Sequence, residues 1–172
     1  MGEKKINDKY YDDANYSLTK KDIWFRNRDG KFELKLPLNV SIEKRISDQY
    51  REIEDENEIK KYFNLNNNKS ILELLDDKGY SPFYIVVTIR KKYRKEGFNI
   101  DIDATDFGYN VVEIEYMIND NFNLKEATDK IIVFAKKHNI DTSNYVRGKA
   151  EEYLRRNNPK HYQTLVDAGV FK

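Results

Sequence analysis

Two short segments of this chain alternate carboxylates with isoleucine, Asp101-Ile102-Asp103 and Glu113-Ile114-Glu115. Cations recur with the same rhythm in Arg26-Asn27-Arg28 and at Arg90 and Lys92. A period of two places such residues on one face of a strand. Carboxylates gathered there repel one another unless a cation stands among them, because like charges directly opposed in a sheet are destabilising. Oxygen-only donors suit Mg²⁺ or Mn²⁺ rather than zinc. Arginine and lysine clusters suit phosphate. Together these residue types point to a metal-assisted polyphosphate site. A solvated outer sheet face would also alternate charge. Against that reading, the two signs are segregated strand by strand, and Asp-x-Asp and Glu-x-Glu are poor strand formers.

The elements that must carry these residues are mainly strands, then helices. Residues 22–28 and 31–37 alternate and are joined by Asp29-Gly30, a two-residue hairpin signal. A strand is expected near Ser47–Ile53, short helices over 55–64 and 69–78, and a loop at Asn66-Asn67-Asn68. Three strands in meander order follow, Phe83–Arg94, Phe98–Ala104 and Asn110–Ile118. Leu124–Lys137 has helical apolar spacing. Asp141–Asn144 offers N-caps for a helix running through Arg156. Pro159 opens a last helix that Gly169 ends. The class is α+β, an antiparallel sheet with peripheral and C-terminal helices.

The first hairpin pairs Arg28 with Lys31, Arg26 with Glu33 and Trp24 with Lys35. Its charged face carries Arg26, Arg28, Lys31, Glu33 and Lys35, and Ile23, Phe25, Phe32, Leu34 and Leu36 face the core. In the acidic hairpin Ile100, Ile102, Val112, Ile114, Tyr116 and Ile118 are all even-numbered and are expected on the buried face. A register centred on Gly108 sets Asp101 opposite Glu115 and Asp103 opposite Glu113. A turn at Lys95-Glu96 sets Arg90 opposite Asp101 and Lys92 opposite Asn99.

The chain has 172 residues, enough for one domain with a core, expected to span 1–172. Lys and Arg number 31 against 30 Asp and Glu, which disfavours a nucleic-acid binder. Absence of cysteine excludes disulfides and thiolate metal sites. With no secretory signal and no apolar run of spanning length, a cytoplasmic protein without a membrane partner is expected, more readily a monomer than an oligomer. His138 and His161 are too far apart for a histidine site and read as structural or solvent-facing.

At the charged segments the chain resembles the CYTH superfamily of triphosphate tunnel metalloenzymes, and within it the thiamine triphosphatases. The matching stretches run in order: Asp8-Lys9-Tyr10-Tyr11-Asp12-Asp13, Trp24-Phe25-Arg26-Asn27-Arg28, Phe32-Glu33-Leu34-Lys35, Thr88-Ile89-Arg90, Asp101 to Tyr109, Glu113-Ile114-Glu115, Lys149, and Asn158-Pro159-Lys160-His161-Tyr162. The resemblance implies an antiparallel barrel or tunnel lined with charge. Family members open with a Glu-x-Glu-x-Lys strand. Here the match begins at their second strand, so the domain is expected to be shortened at its N-terminus and the tunnel to lack one strand.

By the same resemblance, Arg26, Arg28, Lys35 and Arg90 bind the triphosphate, and Asp101, Glu113 and Glu115 hold Mg²⁺, or Mn²⁺, with Asp103 beside them. Lys149 is the catalytic lysine, reaching a phosphate or the attacking water. The implied reaction is metal-dependent hydrolysis of thiamine triphosphate to thiamine diphosphate and phosphate. Alternatives are an inorganic triphosphatase, or a protein that binds a triphosphate or nucleotide without cleaving it. Trp24 matches a family aromatic that either stacks on a ring of the substrate or packs in the core.

Overall fold

The computed structural model describes residues 2–38, 49–66, 68–119 and 123–172. Seven strands form one sheet of order β4-β3-β2-β1-β5-β6-β7. They are β1 (Gly2–Asp12), β2 (Trp24–Arg28), β3 (Lys31–Pro37), β4 (Tyr50–Ile53), β5 (Ser81–Lys95), β6 (Phe98–Thr105) and β7 (Asn110–Glu115). The helices are α1 (Glu56–Tyr62), α2 (Ile71–Lys78), α3 (Leu124–Lys137), α4 (Lys149–Asn157) and α5 (Pro159–Asp167), with a 3₁₀ turn over Thr19–Lys21. The α+β class holds, and seven strands rather than the family's eight are present among the described residues. Residues 39–48, including the start of the strand expected near Ser47, and Asn67 of the asparagine run lie outside them.

The chain divides into two compact units. One comprises residues 6–87 and 150–172. Its β2–β3 hairpin has the expected register, Arg28 with Lys31, Arg26 with Glu33 and Trp24 with Lys35. The cause is the Asp29-Gly30 turn, where both residues have positive φ, +49° and +93°, matching the twist of the strands. Phe25 and Leu34 project into a core completed by Ile53, Ile59, Phe63, Ile71, Leu74 and Leu75. Ser70 opens α2 with a reciprocal capping box to Glu73, and Asp55 caps α1. β1 buries Ile6, Asp8, Tyr10 and Asp12 on one face. Its period is that of a strand, but its buried set is half acidic, so hydropathy alone does not mark it.

The other unit comprises residues 2–5 and 88–149. Two registers differ here from the sequence reading. β5 pairs Arg90 with Asp103 and Lys92 with Asp101, because the two-residue turn is Glu96-Gly97, with φ of +53° and +86°. β6 pairs Asp101 with Glu113 and Asn99 with Glu115. That turn closes between Thr105 and Tyr109, by Thr105 N–H to Tyr109 O at 3.0 Å and by the Thr105 hydroxyl. Each slip is of two residues, so every side chain keeps its face.

The sense of the faces is inverted, however. Asp101 and Asp103 are fully buried, while Ile89, Ile102 and Val112 are exposed. The enclosed side of this sheet is the charged one. The apolar row is buried only towards α3, where Phe98 stacks on Phe134 at 4.3 Å and packs beside Tyr116. The helix expected from Asp141 starts later, at Lys149, and Asp141 instead holds a local turn through Ser143 and Asn144. α3 has the expected bounds, capped by Asn123, and α5 starts at Pro159 as expected.

Candidate functional site

Antiparallel pairing of β5, β6 and β7 brings seven charged side chains onto one face, Arg90, Lys92, Arg94, Asp101, Asp103, Glu113 and Glu115. Arg90 is the hub. Its Nε and Nη2 donate to the two oxygens of Asp103, both at 2.7 Å, and Nη2 also donates to Glu113 at 2.8 Å. Nη1 lies 2.5 Å from Asp101. Burial alone would lower the Arg90 pKa, but the hydrogen bonds to Asp103 and the charges of Glu113 and Asp101 outweigh it, so the guanidinium is held above its ordinary value. Lys149, the first residue of α4, donates to Asp103 and, at 2.5 Å, to Glu113. Asp103 therefore takes two cations. Burial would raise its pKa, yet Arg90 and then Lys149 hold it below the usual carboxylate value.

Asp101 is different. Its carboxylate is fully buried, and neither oxygen has a hydrogen bond. Among the described residues it has only the ion contact to Arg90. Oxygens of Asp101, Glu113 and Glu115 lie within 4.8 Å of one another. Buried carboxylate oxygens rarely go unbonded. This donor set, three carboxylates and no nitrogen or sulfur, fits a hard divalent cation. The acidic cluster could hold a metal.

The β2–β3 hairpin carries the other expected cations. Arg26 is almost fully buried. It donates to Glu33 through Nε at 2.7 Å and to the Tyr10 hydroxyl at 3.0 Å. Burial opposes its charge, and Tyr10, Asp8 and Glu33 more than restore it. Arg28 makes a two-pronged pair with Asp8, at 2.7 and 2.8 Å. Lys35 bonds Glu52 at 2.6 Å and lies over the Tyr50 ring. Trp24 is buried. Its Nε1–H donates to Asp22 at 2.8 Å, and the ring packs against Tyr10 and Phe171.

Sequence reasoning brings out Arg26, Arg28, Lys35, Arg90, Asp101, Glu113 and Glu115 by face alternation, and Lys149 only by resemblance. It passes over the partners Asp8, Tyr10 and Glu52. It also passes over a buried relay in which Thr19 Oγ1 donates to Asp12 at 2.6 Å and accepts from His161 Nε2 at 2.9 Å. Tyr16 stacks on the His161 ring at 3.8 Å. The alternating burial of Asp8, Tyr10 and Asp12 is the signal that could have exposed part of this set.

Comparison with known proteins bears on the family and the fold. The CYTH domain matches residues 1–148. The chain is 25% identical to a thiamine-triphosphatase of Macaca fascicularis over 96% of this chain and 78% of the relative. It is 26% identical to a thiamine-triphosphatase of Homo sapiens over 93% and 76%. Among solved structures, a protein of Pyrococcus horikoshii OT3 shares the fold with a TM-score of 0.61 at 22% identity, covering 91% of this chain and 87% of that one. A Hippeastrum protein reported to have a dominant triphosphatase activity superposes with a TM-score of 0.53 at 17% identity, over 91% and 83%. No helix among the described residues is long and apolar enough to cross a membrane.

Proposed function

The chain belongs to the CYTH family, and from that premise we propose that it hydrolyses a triphosphate to a diphosphate and phosphate, with thiamine triphosphate as favoured substrate. The observation that carries the reading is Asp101, a buried carboxylate without hydrogen bonds beside a fully paired arginine. Asp101, Glu113 and Glu115 would hold Mg²⁺ or Mn²⁺. Bound there, the ion would supply positive charge against the phosphate oxygens.

The remaining steps belong to side chains. Arg90 and Lys149 share Glu113 as an acceptor. Were Glu113 to turn to a cation, both would keep Asp103 and gain free N–H donors for phosphate oxygens. Arg26, Arg28 and Lys35 are further phosphate-binding candidates, on the β2–β3 hairpin. A water oxygen bonds the terminal phosphorus as the bridging P–O bond breaks; the diphosphate departs with the bridging oxygen, and the proton of the water is released to solvent. Positioning and charge stabilisation provide most of the rate in such transfers. Lys149 is the proposed catalytic cation, and its ion pairs with Asp103 and Glu113 support that reading by holding it beside the carboxylates.

Glu113→Gln and Glu115→Gln should each abolish divalent-dependent phosphate release. Unchanged turnover would overturn the assignment. A second reading, an inorganic triphosphatase, is favoured by Trp24, whose buried ring already has neighbours and whose Nε1–H is already bonded. Comparing kcat/KM for thiamine triphosphate and inorganic triphosphate separates the two. Calorimetric binding of either compound without phosphate release would identify a non-hydrolysing binder instead.

A further inference from the structure

α5 is a helix of nine residues, too short to persist in water by itself. In its first turn His161 is fully buried and meets the connection between β1 and β2. Both oxygens of Asp12 accept there, from the backbone N–H groups of Asp13, Leu18 and Thr19 at 2.9, 3.0 and 2.8 Å, and from the Thr19 hydroxyl at 2.6 Å. The hydroxyl proton is thereby committed to Asp12. The 2.9 Å contact between Thr19 Oγ1 and His161 Nε2 then places a proton on that nitrogen. A neutral imidazole carries one such proton. Nδ1 is therefore bare, and it has no hydrogen-bond partner among the described residues. The Tyr16 ring covers one face of the imidazole, and Phe83 of β5 meets it edge-on at 4.7 Å. The titratable and charged groups that face it are Asp12 behind the Thr19 hydroxyl, Tyr16, and Lys20, whose charge opposes a second one. Further along, Leu165 is fully buried, Tyr162 packs on Phe171, and Phe171 packs on Trp24.

We propose that His161 fastens α5 as a proton-operated latch: a proton taken up at Nδ1 frees α5 and the residues after it from the β1–β2 connection, while the β2–β3 hairpin stays folded. The latch is independent of the triphosphatase reading. With the latch closed, a second proton would bury an N–H that has no acceptor, close to the charge of Lys20. With it open, water solvates the imidazolium. A helix at the chain's end can separate without breaking a strand ladder, so this opening lies below global unfolding in free energy. Burial, and then Lys20, hold the closed imidazole down to about 4; the open one returns to about 6.5. The closed form is therefore favoured fully above 6.5 and progressively less towards 4, and opening should grow about twentyfold from pH 7 to pH 5.

The test is amide hydrogen exchange of the full chain at pH 7 and pH 5, each rate divided by the intrinsic rate at that pH. The α5 amides from Tyr162 to Ala168 should be less protected than those of β2 and β3 at both values. Their protection should fall about twentyfold between pH 7 and pH 5. In His161→Gln, which keeps an N–H for Thr19 and cannot titrate, it should stay level. Equal protection of α5 and the β2–β3 hairpin would mean that α5 leaves only when the whole unit unfolds, and would overturn the latch. So would a level response in wild type, or a twentyfold fall in His161→Gln. A measurement on wild type alone decides the proton's place. The chain has two histidines, and the imidazole ¹⁵N shifts of His161 at pH 7 should report the tautomer protonated at Nε2. A proton already on Nδ1 would remove the latch's trigger and overturn it without any variant.

Discussion

The Lys149 ammonium donates to the Glu113 carboxylate at 2.5 Å, joining the first residue of α4 to β7. Glu113 also belongs to the carboxylate trio suited to a metal, so a cation bound there would compete with the lysine for one residue. Lys149→Met should lower kcat by about 10²–10³, the usual loss when a preorganised donor to a developing oxyanion is removed. The same variant should bind Mn²⁺ as tightly as wild type or more tightly, since a competing positive charge is gone. Calorimetry with Mn²⁺ and steady-state phosphate release check the two halves. Weakened Mn²⁺ binding would contradict the competition.

Asp101→Asn should separate metal affinity from folding. The carboxylate has no hydrogen bond to lose, and Arg90 retains Asp103 and Glu113. The urea midpoint should stay close to that of wild type, because a buried, poorly solvated charge contributes little net stability. Mn²⁺ affinity should fall by at least about tenfold, since even the outer partners of metal ligands are worth that much. A large fall in the urea midpoint would mean that Asp101 is a structural counter-ion.

Tyr109 ties the acidic hairpin to the segment preceding Lys149. Its hydroxyl donates to the Arg147 carbonyl at 2.7 Å, from the turn whose two limbs carry Asp103 and Glu113. Tyr109→Phe should slow phosphate release by about fivefold to tenfold, in keeping with one lost hydrogen bond of ordinary strength. In a Lys149→Met background the same change should cost almost nothing, because the tyrosine acts through the lysine. Additive losses would assign Tyr109 a role independent of Lys149.

His161 should dominate the stability of the fold between pH 6.5 and 4.5. Burial, and then the charge of Lys20, press its pKa down to about 4. Unfolded, it returns to about 6.5. As pH falls through 6.5 the unfolded chain takes up a proton that the folded chain refuses, so stability is full above 6.5 and declines towards pH 4. The loss is of order 3 kcal/mol. Glu152, held near 2 by Arg155 against the opposing effect of burial and helped by Arg156, acts in the same direction only below about 4.5. Urea unfolding from pH 7 to 5 should show the slope in wild type and a flatter one in His161→Gln. Equal slopes would place the titration elsewhere.

How much of this was legible beforehand depended on the turns. Asp29-Gly30 sets the β2–β3 register because two residues of positive φ leave one geometry. Lys95-Glu96 was the wrong pair by one position, since Gly97 must lie inside the turn, and the error moved β6 by two. The acidic hairpin moved by two because its turn is fastened by Thr105 and Tyr109, a side-chain bond that no hydropathy pattern reports. Both errors preserve the faces, so the composition of the candidate site was readable even where its pairing was not. The inverted burial was not readable. Periodicity says which residues share a face, and the inward side is then assigned by hydropathy, which fails where the enclosed face is ionic. Lys149 sits on a helix after an irregular segment and follows no strand rhythm at all.

Among the described residues, the unit that holds the carboxylates buries few apolar side chains, Phe98, Ala127, Phe134 and Ala135, and turns Ile102 and Val112 to water. The large apolar cluster belongs to the other unit. Amide exchange should therefore be two-tiered. β2 and β3 should exchange only when their unit unfolds as a whole, and β6 and β7 through smaller openings of lower free energy. In a substrate-free sample those openings should set the lifetime of the acidic hairpin, and a bound anion and cation would lengthen it. The chain thus keeps its most charged strands as its least protected ones until they have something to hold.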